Sequence, residues 1–562
     1  MRDPAAKSRL VWLAVIMAAG VTVRLFRLTW GLPDFDHPDG VMYFVRPAAR
    51  LVALGEWMPP HFVHPPLHLY VTALVYAAWS WVTGTPVAPA GQPFYAQFPT
   101  LVLLGRSTSV AISSATIGLI YVLARRLVGS RAALLGAAVF AVAPLPVMEA
   151  HRINPDAPLA FLTLLASLLA VLARERGRRA LLLAAFFLGG LAGGFKYNGP
   201  AAAAVPAWVT LTWPGAELWR RRLAWLGVGG ALTVFGFALG CLPAFFDWEK
   251  AWTTASAVIR FSYVLGMPGV DLSGHGWTYT RYVYALVVAF PYMMGWTVYL
   301  AALAGLVLLV RRRTLAAGIV LAFVVPYFAI MGGAIAIAAR YYLPLAPYLA
   351  LAAGVALEWW FEGPPWRRRA GVVVAALVLG YALLLDVSQC LRLGLGPQRQ
   401  AAALVAQQVE RRSAPDARLN VAYPNLLVLS YDAIRPLIER IPHVAWTYYP
   451  PEYQNVRAEH GEAPPDDELR GRERRWIRDN EVAVVILPSW IEHGVMRERP
   501  DGATAHFYRH LADGSLGFRL GGEFQTRFWS QALYTWGDPM LDTHWETAIA
   551  GYKVFVRTEA AP

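Results

Sequence analysis

"LHLYVTALVYAAWSWVTG", residues 67–84, is apolar enough to cross a bilayer, and the topology of the whole chain turns on whether it does. If it spans, the basic stretch "ARRLVGSR" (124–131) falls outside and every later segment inverts. Positive clusters between apolar runs mark cytoplasmic loops. Residues 67–84 therefore read as a helix lying at, or dipping into, the outer interface, where Trp and Tyr concentrate.

The same rule orders the rest. Of 562 residues, 57% are hydrophobic and 15% charged, with 22 Trp, 25 Tyr and 25 Phe. That balance, with repeated apolar runs, belongs to a multi-span α-helical membrane protein. The formal net charge of +13 would suggest nucleic acid in a soluble chain, but its distribution argues otherwise. Residues 1–387 hold 30 Lys/Arg against 15 Asp/Glu, whereas 388–562 hold 20 against 22. The excess sits in short clusters: "MRDPAAKSR" (1–9), 124–131, "ARERGRR" (173–179), "WRRR" (219–222), 311–313 and "WRRR" (366–369). These are positive-inside loops, not a nucleic-acid surface.

Placing each cluster inside gives about 11 spans: 10–30, 100–124, 132–148, 157–173, a short pair at 180–197 and 199–214, then 224–243, 282–308, 314–335, 342–360 and 370–387. The first has basic flanks but no small-residue cleavage site, so it reads as a retained span. Arg24 and Arg27, near its outer end, read as interfacial anchors. Residues 31–99 form the first outer loop, and 244–281 a later one carrying Asp271 and His275, read as a gate.

The tail from 388 is then extracytoplasmic. It alternates strand-like runs ("ARLNVAY", "EVAVVILP", "GYKVFVR") with a helical one ("DDELRGRERRWIRDN"), which predicts a small α/β domain. The expected division is 1–387, a membrane module, and 388–562, the tail domain. Cys241 and Cys390 both fall near the outer face; two unpaired thiols are the commoner reading, a single bridge the other.

This path collects polar residues at outer span ends: Asp34, Asp36, Asp39, His64, Glu149, His151, Arg152, Asp156, Lys196, Tyr197, Asn198, Arg340, Tyr341 and Tyr342. Ionisable residues there are functional candidates by default. Each has a plainer reading. "HPDG" is a turn string in its own right, Asp156 after "NP" can cap a helix, and Arg152 and Arg340 can snorkel. His64 and His151 have no metal-spaced partner. Lys196 interrupts an apolar stretch, which favours a phosphate contact. A cavity floored by the spans and roofed by the tail would hold them all.

Four stretches carry a family resemblance. "DHPDGVMYFVRPAARLVALGEWMPPHFVHPPLHLY" (36–70) resembles the first outer loop of the protein O-mannosyltransferase-like GT-C glycosyltransferases. "EAHRINPDAPLAF" (149–161) resembles the family's second outer loop, "GLAGGFKYNGPAAA" (190–203) its Lys-containing "TKYN" stretch, and "ARYYLPLAPYLALAAG" (339–354) its "RYLLPLLP" stretch. They occur in the family's order and on the side the charge pattern gives. Gly40 stands where the family usually has Glu, so either Asp36 covers that role or the activity is altered. His64 stands where the aminoarabinose transferases of lipid A have Lys before "PPL".

The resemblance implies an enzyme of the cytoplasmic (inner) membrane. It would take a polyprenyl-phosphate-linked sugar and transfer the sugar to an acceptor hydroxyl of a protein, lipid or glycan on the outer side. Asp39, Asp36 and Asp156 are the implied catalytic acids. Arg152, Lys196, Tyr197, Asn198, Arg340, Tyr341 and His64 are the implied phosphate and substrate ligands. No metal is required by these steps, although a divalent metal is possible since some members bind one. Two other readings differ in class. A transporter of a lipid-linked or polar solute would show inverted repeats and mid-span charges; a membrane-anchored scaffold or sensor would leave Lys196 unused.

Overall fold

The structure is a computed structural model that describes residues 4–33, 37–215, 218–265, 281–334, 339–394, 396–411, 419–424, 435–438, 441, 443–449, 466–488, 503–524 and 551–558. The chain divides into two compact units. One comprises Met1–Thr29, Asp39–Val264 and Arg281–Cys390; the other comprises Trp30–Pro38, Leu265–Thr280 and Leu391–Pro562.

The first unit is helical. Among the described residues, seven helices are long and apolar enough to cross a membrane, or nine if each of two bent pairs counts as one span. The protein is thus a multi-pass membrane protein. Helices Asp156–Arg176 and Ala346–Phe361 are largely enclosed by others, whereas Trp219–Gly240 leaves Val234, Phe235 and Leu239 exposed, as a lipid-facing helix does. The expected pair at 180–197 and 199–214 consists of short elements. Arg179–Ala192 is a helix of 14 residues, and a 3₁₀ turn Gly199–Ala203 leads into Ala204–Leu211. A helix of that length rises about 21 Å, against a hydrocarbon core of about 30 Å.

Two expected spans are bent. Residues 132–148 fall on helices Ser130–Ala141 and Pro144–Ala150, which meet at 57°, where Pro144 lacks the N–H a continuous helix would use. Residues 282–308 fall on Arg281–Met294 and Trp296–Arg312, which meet at 115°. Gly295 makes that corner with a φ of 76°, a left-handed conformation that glycine adopts at no steric cost. Hydropathy alone does not register either break.

Residues 67–84 form one helix, Leu67–Thr83. It buries His68, Leu69, Thr72, Ala73 and Tyr76 and exposes Leu74, Trp81 and Val82.

Arg24 is not the interfacial anchor expected. It is fully buried and donates to Ser113 Oγ (2.9 Å) and to the carbonyls of Gly20 (3.0 Å), Ala141 (2.8 Å) and Phe140 (3.2 Å). A guanidinium has enough donors to satisfy the carbonyl end of helix Ser130–Ala141, and positive charge is favoured there. Arg27 is exposed. Cys241 and Cys390 are both free thiols and both buried.

The second unit holds a five-stranded sheet of β1 (Leu419–Pro424), β2 (Val444–Tyr449), β3 (Val482–Pro488), β4 (Phe518–Phe524) and β5 (Tyr552–Arg557). Its order is β2-β1-β3-β5-β4. β1 runs parallel to β2 and β3, while β5 runs antiparallel to β3 and β4. Every residue of β3 is buried, as expected of a strand covered on both faces. Helices Pro397–Glu410, Asp466–Asp479 and Ala503–Ala512 contribute Val405, Ile477 and Phe507 to the core around it. This is the α/β tail the alternating pattern predicts, with β2 and β4 added. Asp271 and His275 lie outside the described residues.

Candidate active site

The "GGFKYNG" stretch (193–199) is built by close backbone packing. Helix Arg179–Ala192 tightens at its end, where the Phe195 and Lys196 amides both donate to the Ala192 carbonyl. Gly199 folds back on the same turn, and a Cβ there would lie 2.3 Å from the Ala192 oxygen. Gly194 packs against Gly240, where a Cβ would come within 2.6 Å of its Cα. Only hydrogen fits at either place, and the turn so formed projects Lys196, Tyr197 and Asn198.

Each of these three has a defined partner. Lys196 Nζ donates to Asp156 Oδ1 at 2.5 Å and lies 4.4 Å from the centre of the Tyr341 ring. Tyr197 donates its hydroxyl proton to the Phe62 carbonyl at 2.6 Å. Asn198 Nδ2 donates to the Tyr327 hydroxyl at 2.8 Å, which in turn donates to the Tyr341 carbonyl at 2.8 Å. The Leu67 amide also donates to the Gly194 carbonyl at 3.0 Å. The lysine turn is therefore fastened both to the "HPPL" stretch and to the "RYYLP" stretch.

Asp156 opens helix Asp156–Arg176, but its carboxylate forms no cap. Its amide instead donates a hydrogen bond to Asn154 Oδ1, at 3.2 Å. The carboxylate, almost fully buried in the first turn, is left to hold Lys196, in the favourable field of a helix N-terminus. Just before it, Arg152 Nη1 donates to Glu149 Oε1 at 2.7 Å, and Asn154 donates to Oε2. Arg152 is buried, so it does not snorkel. Glu149 also lies within electrostatic reach of Arg340 and Asp156.

Asp39 is held from the far end of the unit's sequence: Arg340 Nη2 donates to its Oδ2 at 3.0 Å. Arg340 is buried rather than solvated. His64 stands between the two ion pairs, within electrostatic reach of Asp39, Lys196, Asp156 and Arg340 alike. Its ring packs edge-on to Tyr43 with centroids 5.0 Å apart, and lies near Phe44. Burial drives the imidazole down to about 3, against opposition from Asp39 and Asp156 and with help from Lys196 and Arg340, so the ring is neutral at ordinary pH.

The structure thus brings together Asp39, His64, Arg152, Asp156, Lys196, Tyr197, Asn198, Arg340 and Tyr341. Asp34 and Asp36 lie outside the described residues. His151 is separate: its two ring nitrogens face the carbonyls of Val147 (2.9 Å) and Phe26 (2.8 Å). Tyr342 is buried and donates to the Met331 carbonyl at 3.3 Å. Glu149 belongs with the cluster more closely than its place in the sequence suggests. A divalent ion does not fit this donor set. Each described acid faces a fixed cation, and among the described residues no three metal-type ligands converge here.

The helices also sort their ends. Asp156 opens a helix whose last turn carries Arg174 and Arg176. Glu149 lies at the far end of the bent pair Ser130–Ala141 and Pro144–Ala150 from Arg131, and Arg340 lies at the far end of Ala339–Phe361 from Glu362. The opposite ends meet one another through Arg126–Glu175 (2.5 Å), Arg312–Glu362 (3.3 Å) and Arg131 over Phe361. The cluster and the basic loops therefore occupy opposite ends of the helical unit.

Several solved structures share this architecture. The aminoarabinose transferase ArnT of Cupriavidus metallidurans, bound to undecaprenyl phosphate, superposes with a TM-score of 0.53 at 16% identity, over 98% of this chain and 99% of that one. The fold is that of the GT-C glycosyltransferases. The oligosaccharyltransferase of Archaeoglobus fulgidus matches at a TM-score of 0.51 and 13% identity, over 89% of this chain and 71% of that one. A form of it tethered to an acceptor peptide with the NVT sequon gives 0.51 at 12% identity, over 98% and 88%. Residues 103–239 match the family model of dolichyl-phosphate-mannose-protein mannosyltransferases. Among curated proteins compared by sequence, none matches. The likeness read from the four motif stretches agrees with the GT-C fold, and all four supply the two ion pairs around His64, the first contributing both Asp39 and His64.

Proposed function

We propose that this GT-C protein is a glycosyltransferase that moves a sugar from a polyprenyl phosphate to an acceptor hydroxyl. One observation carries the reading: Asp39–Arg340 and Asp156–Lys196, drawn from four distant stretches, close around a neutral His64 at one end of the helical unit. Undecaprenyl phosphate bound to the ArnT of similar fold supports a lipid of that class as the donor carrier, and the acceptor peptide tethered to the archaeal oligosaccharyltransferase supports a protein among the acceptors.

The chemistry follows from the charges. The acceptor oxygen attacks the anomeric carbon and its proton passes to Asp39, the general base. The bond from that carbon to the phosphate oxygen breaks, and its electron pair leaves with the polyprenyl phosphate. Lys196, Arg340 and Arg152 receive the charge that develops there, in a site poorly reached by water. Arg340 orients Asp39, while Asp156 fixes the ammonium of Lys196. Tyr197, Asn198 and Tyr341 keep the lysine turn in place, and Asp36 is the further acid of the first loop. His64 adds polarity without charge, where a lysine would add a fourth cation. No step is routed through a metal.

The basic loops at the opposite end support a cytoplasmic position for that end. The reaction and the tail then face the outer side of the cytoplasmic membrane. The test is sugar transfer by the purified protein supplied with undecaprenyl-phosphate-linked sugars and a peptide, lipid or glycan acceptor. Release of sugar-free undecaprenyl phosphate that is lost in Asp39→Asn and Asp156→Asn supports the assignment. Full turnover in both variants rejects it.

A further inference from the structure

The sheet-bearing unit holds a second cluster that the transferase reading does not use. Helix Ala503–Ala512 places His506 and His510 four residues apart, hence on one face one turn apart. Asp466, in the first turn of helix Asp466–Asp479, packs against that face. His506 Nδ1 lies 2.7 Å from Asp466 Oδ1, and His510 Nε2 lies 3.1 Å from the same oxygen. One nitrogen from each ring and one carboxylate oxygen all fall within 4.8 Å of one another. Donors around tetrahedral zinc, at about 2.0–2.1 Å from the ion, sit about 3.3 Å apart. The spacing of the three groups already approximates that.

What lies behind the ligands sharpens the case. The other nitrogen of His510, Nδ1, lies 2.6 Å from Glu473 Oε2, and both residues are buried. A carboxylate on the distal nitrogen fixes the tautomer that points Nε2 at the ion and raises its basicity. Arg470 holds the other oxygen of Asp466, Oδ2, at 2.8 Å, with His510 Nε2 also 3.2 Å from it, while Oδ1 is the oxygen that both histidines face. A plain His–Asp contact needs only one histidine. Two imidazoles converging on one carboxylate oxygen, one of them backed by a buried glutamate, is a ligand arrangement.

We propose that Asp466, His506 and His510 bind a zinc-class divalent cation, with Glu473 as the positioning residue behind His510. Two imidazoles and a carboxylate match zinc better than magnesium or calcium, which take oxygen donors. Three protein ligands leave a fourth position for water, and Asp466 and His506 are the exposed and half-exposed members through which the ion enters. The ion would clamp the start of one helix to the middle of the next. The proposal does not depend on the transferase reading.

The test uses the full-length protein in detergent, stripped by a chelator and titrated with Zn²⁺ against a chromophoric competitor. One ion per chain is expected. His506→Ala and Asp466→Asn, chosen because neither side chain is core, should each weaken binding at least 100-fold, and Glu473→Gln about 10- to 100-fold. Co²⁺ should give a visible tetrahedral absorption band in the wild type that both ligand variants lose. Zinc should also raise the unfolding temperature of the wild type and not of the variants. No stoichiometric binding by the wild type, or equal binding by the His506→Ala and Asp466→Asn variants, would overturn it and leave a hydrogen-bonded His–Asp group.

Discussion

Arg340 Nη2 and Asp39 Oδ2 are 3.0 Å apart although 301 positions separate them in the chain. The pair brings the first candidate acid onto the "RYYLP" stretch, and the arginine is largely enclosed. The guanidinium fixes one face of the carboxylate. Asp39→Asn keeps the shape but removes the base. Turnover with an undecaprenyl-phosphate-linked sugar should fall about 10²- to 10⁴-fold. Arg340→Lys should fall as well, since a point charge does not reproduce the planar fork. Comparable turnover for Asp39→Asn and wild type would remove Asp39 from the mechanism.

Lys196 and Asp156 give a prediction about stability as well as activity. Their side chains are 13% and 2% exposed, so the pair is buried. Removing only one charge strands the other, at a cost of about 3–5 kcal/mol. Lys196→Met and Asp156→Asn should each lower the unfolding temperature in detergent. The double variant should regain most of that loss but no activity. If the double variant is as unstable as the sum of the singles, the two residues are not acting as a pair.

Much of this site was legible from the sequence because hydropathy and charge place residues on a side of the membrane. They set Asp39, Asp156, Lys196 and Arg340 at one end together. Pairing was not legible: Asp39 could have met Lys196, and nothing local couples it to Arg340. The bend at Gly295 was hidden for a related reason, since an apolar run reads the same whether straight or folded on itself. Arg24 was misread because its partners, Ser113, Phe140 and Ala141, come from two other helices. The histidines of "HFYRH" (506–510) did carry a local signal, the four-residue spacing, but the third ligand lies 40 residues before His506.

His64 predicts a pH dependence with a definite sign. Burial lowers its folded value from 6.5 to about 3. Between those values the unfolded chain takes up a proton that the folded protein refuses, so acidification favours unfolding. The contribution is whole above about 6.5 and is lost as pH falls towards about 3. The unfolding temperature of the wild type should therefore drop further between about pH 7.5, above that window, and about pH 5, inside it, than that of His64→Gln. Parallel curves for the two proteins would mean that His64 titrates normally.

Arg24 and Arg27 separate a buried tie from a surface charge. Arg24→Met removes the buried donor to the Ala141 carbonyl, and a buried acceptor left unpaired costs about 1–3 kcal/mol. Arg27 is exposed, and Arg27→Met should stay within about 0.5 kcal/mol of wild type. Thermal unfolding in one detergent compares them directly. An equal, small effect from both would restore Arg24 to the role of an interfacial anchor.

The assignment of sides is testable with single cysteines. Cys241 and Cys390 are buried, so they leave a low labelling background. Arg178 and Glu468 are exposed, the first in a basic loop and the second in the sheet-bearing unit. If basic loops face the cytoplasm, a membrane-impermeant maleimide applied to intact spheroplasts should label Glu468→Cys and spare Arg178→Cys. Breaking the membrane should then expose Arg178→Cys. The reverse pattern would invert the protein, put the Asp39–Arg340 and Asp156–Lys196 pairs on the cytoplasmic side, and require the sugar donor to be used where it is made.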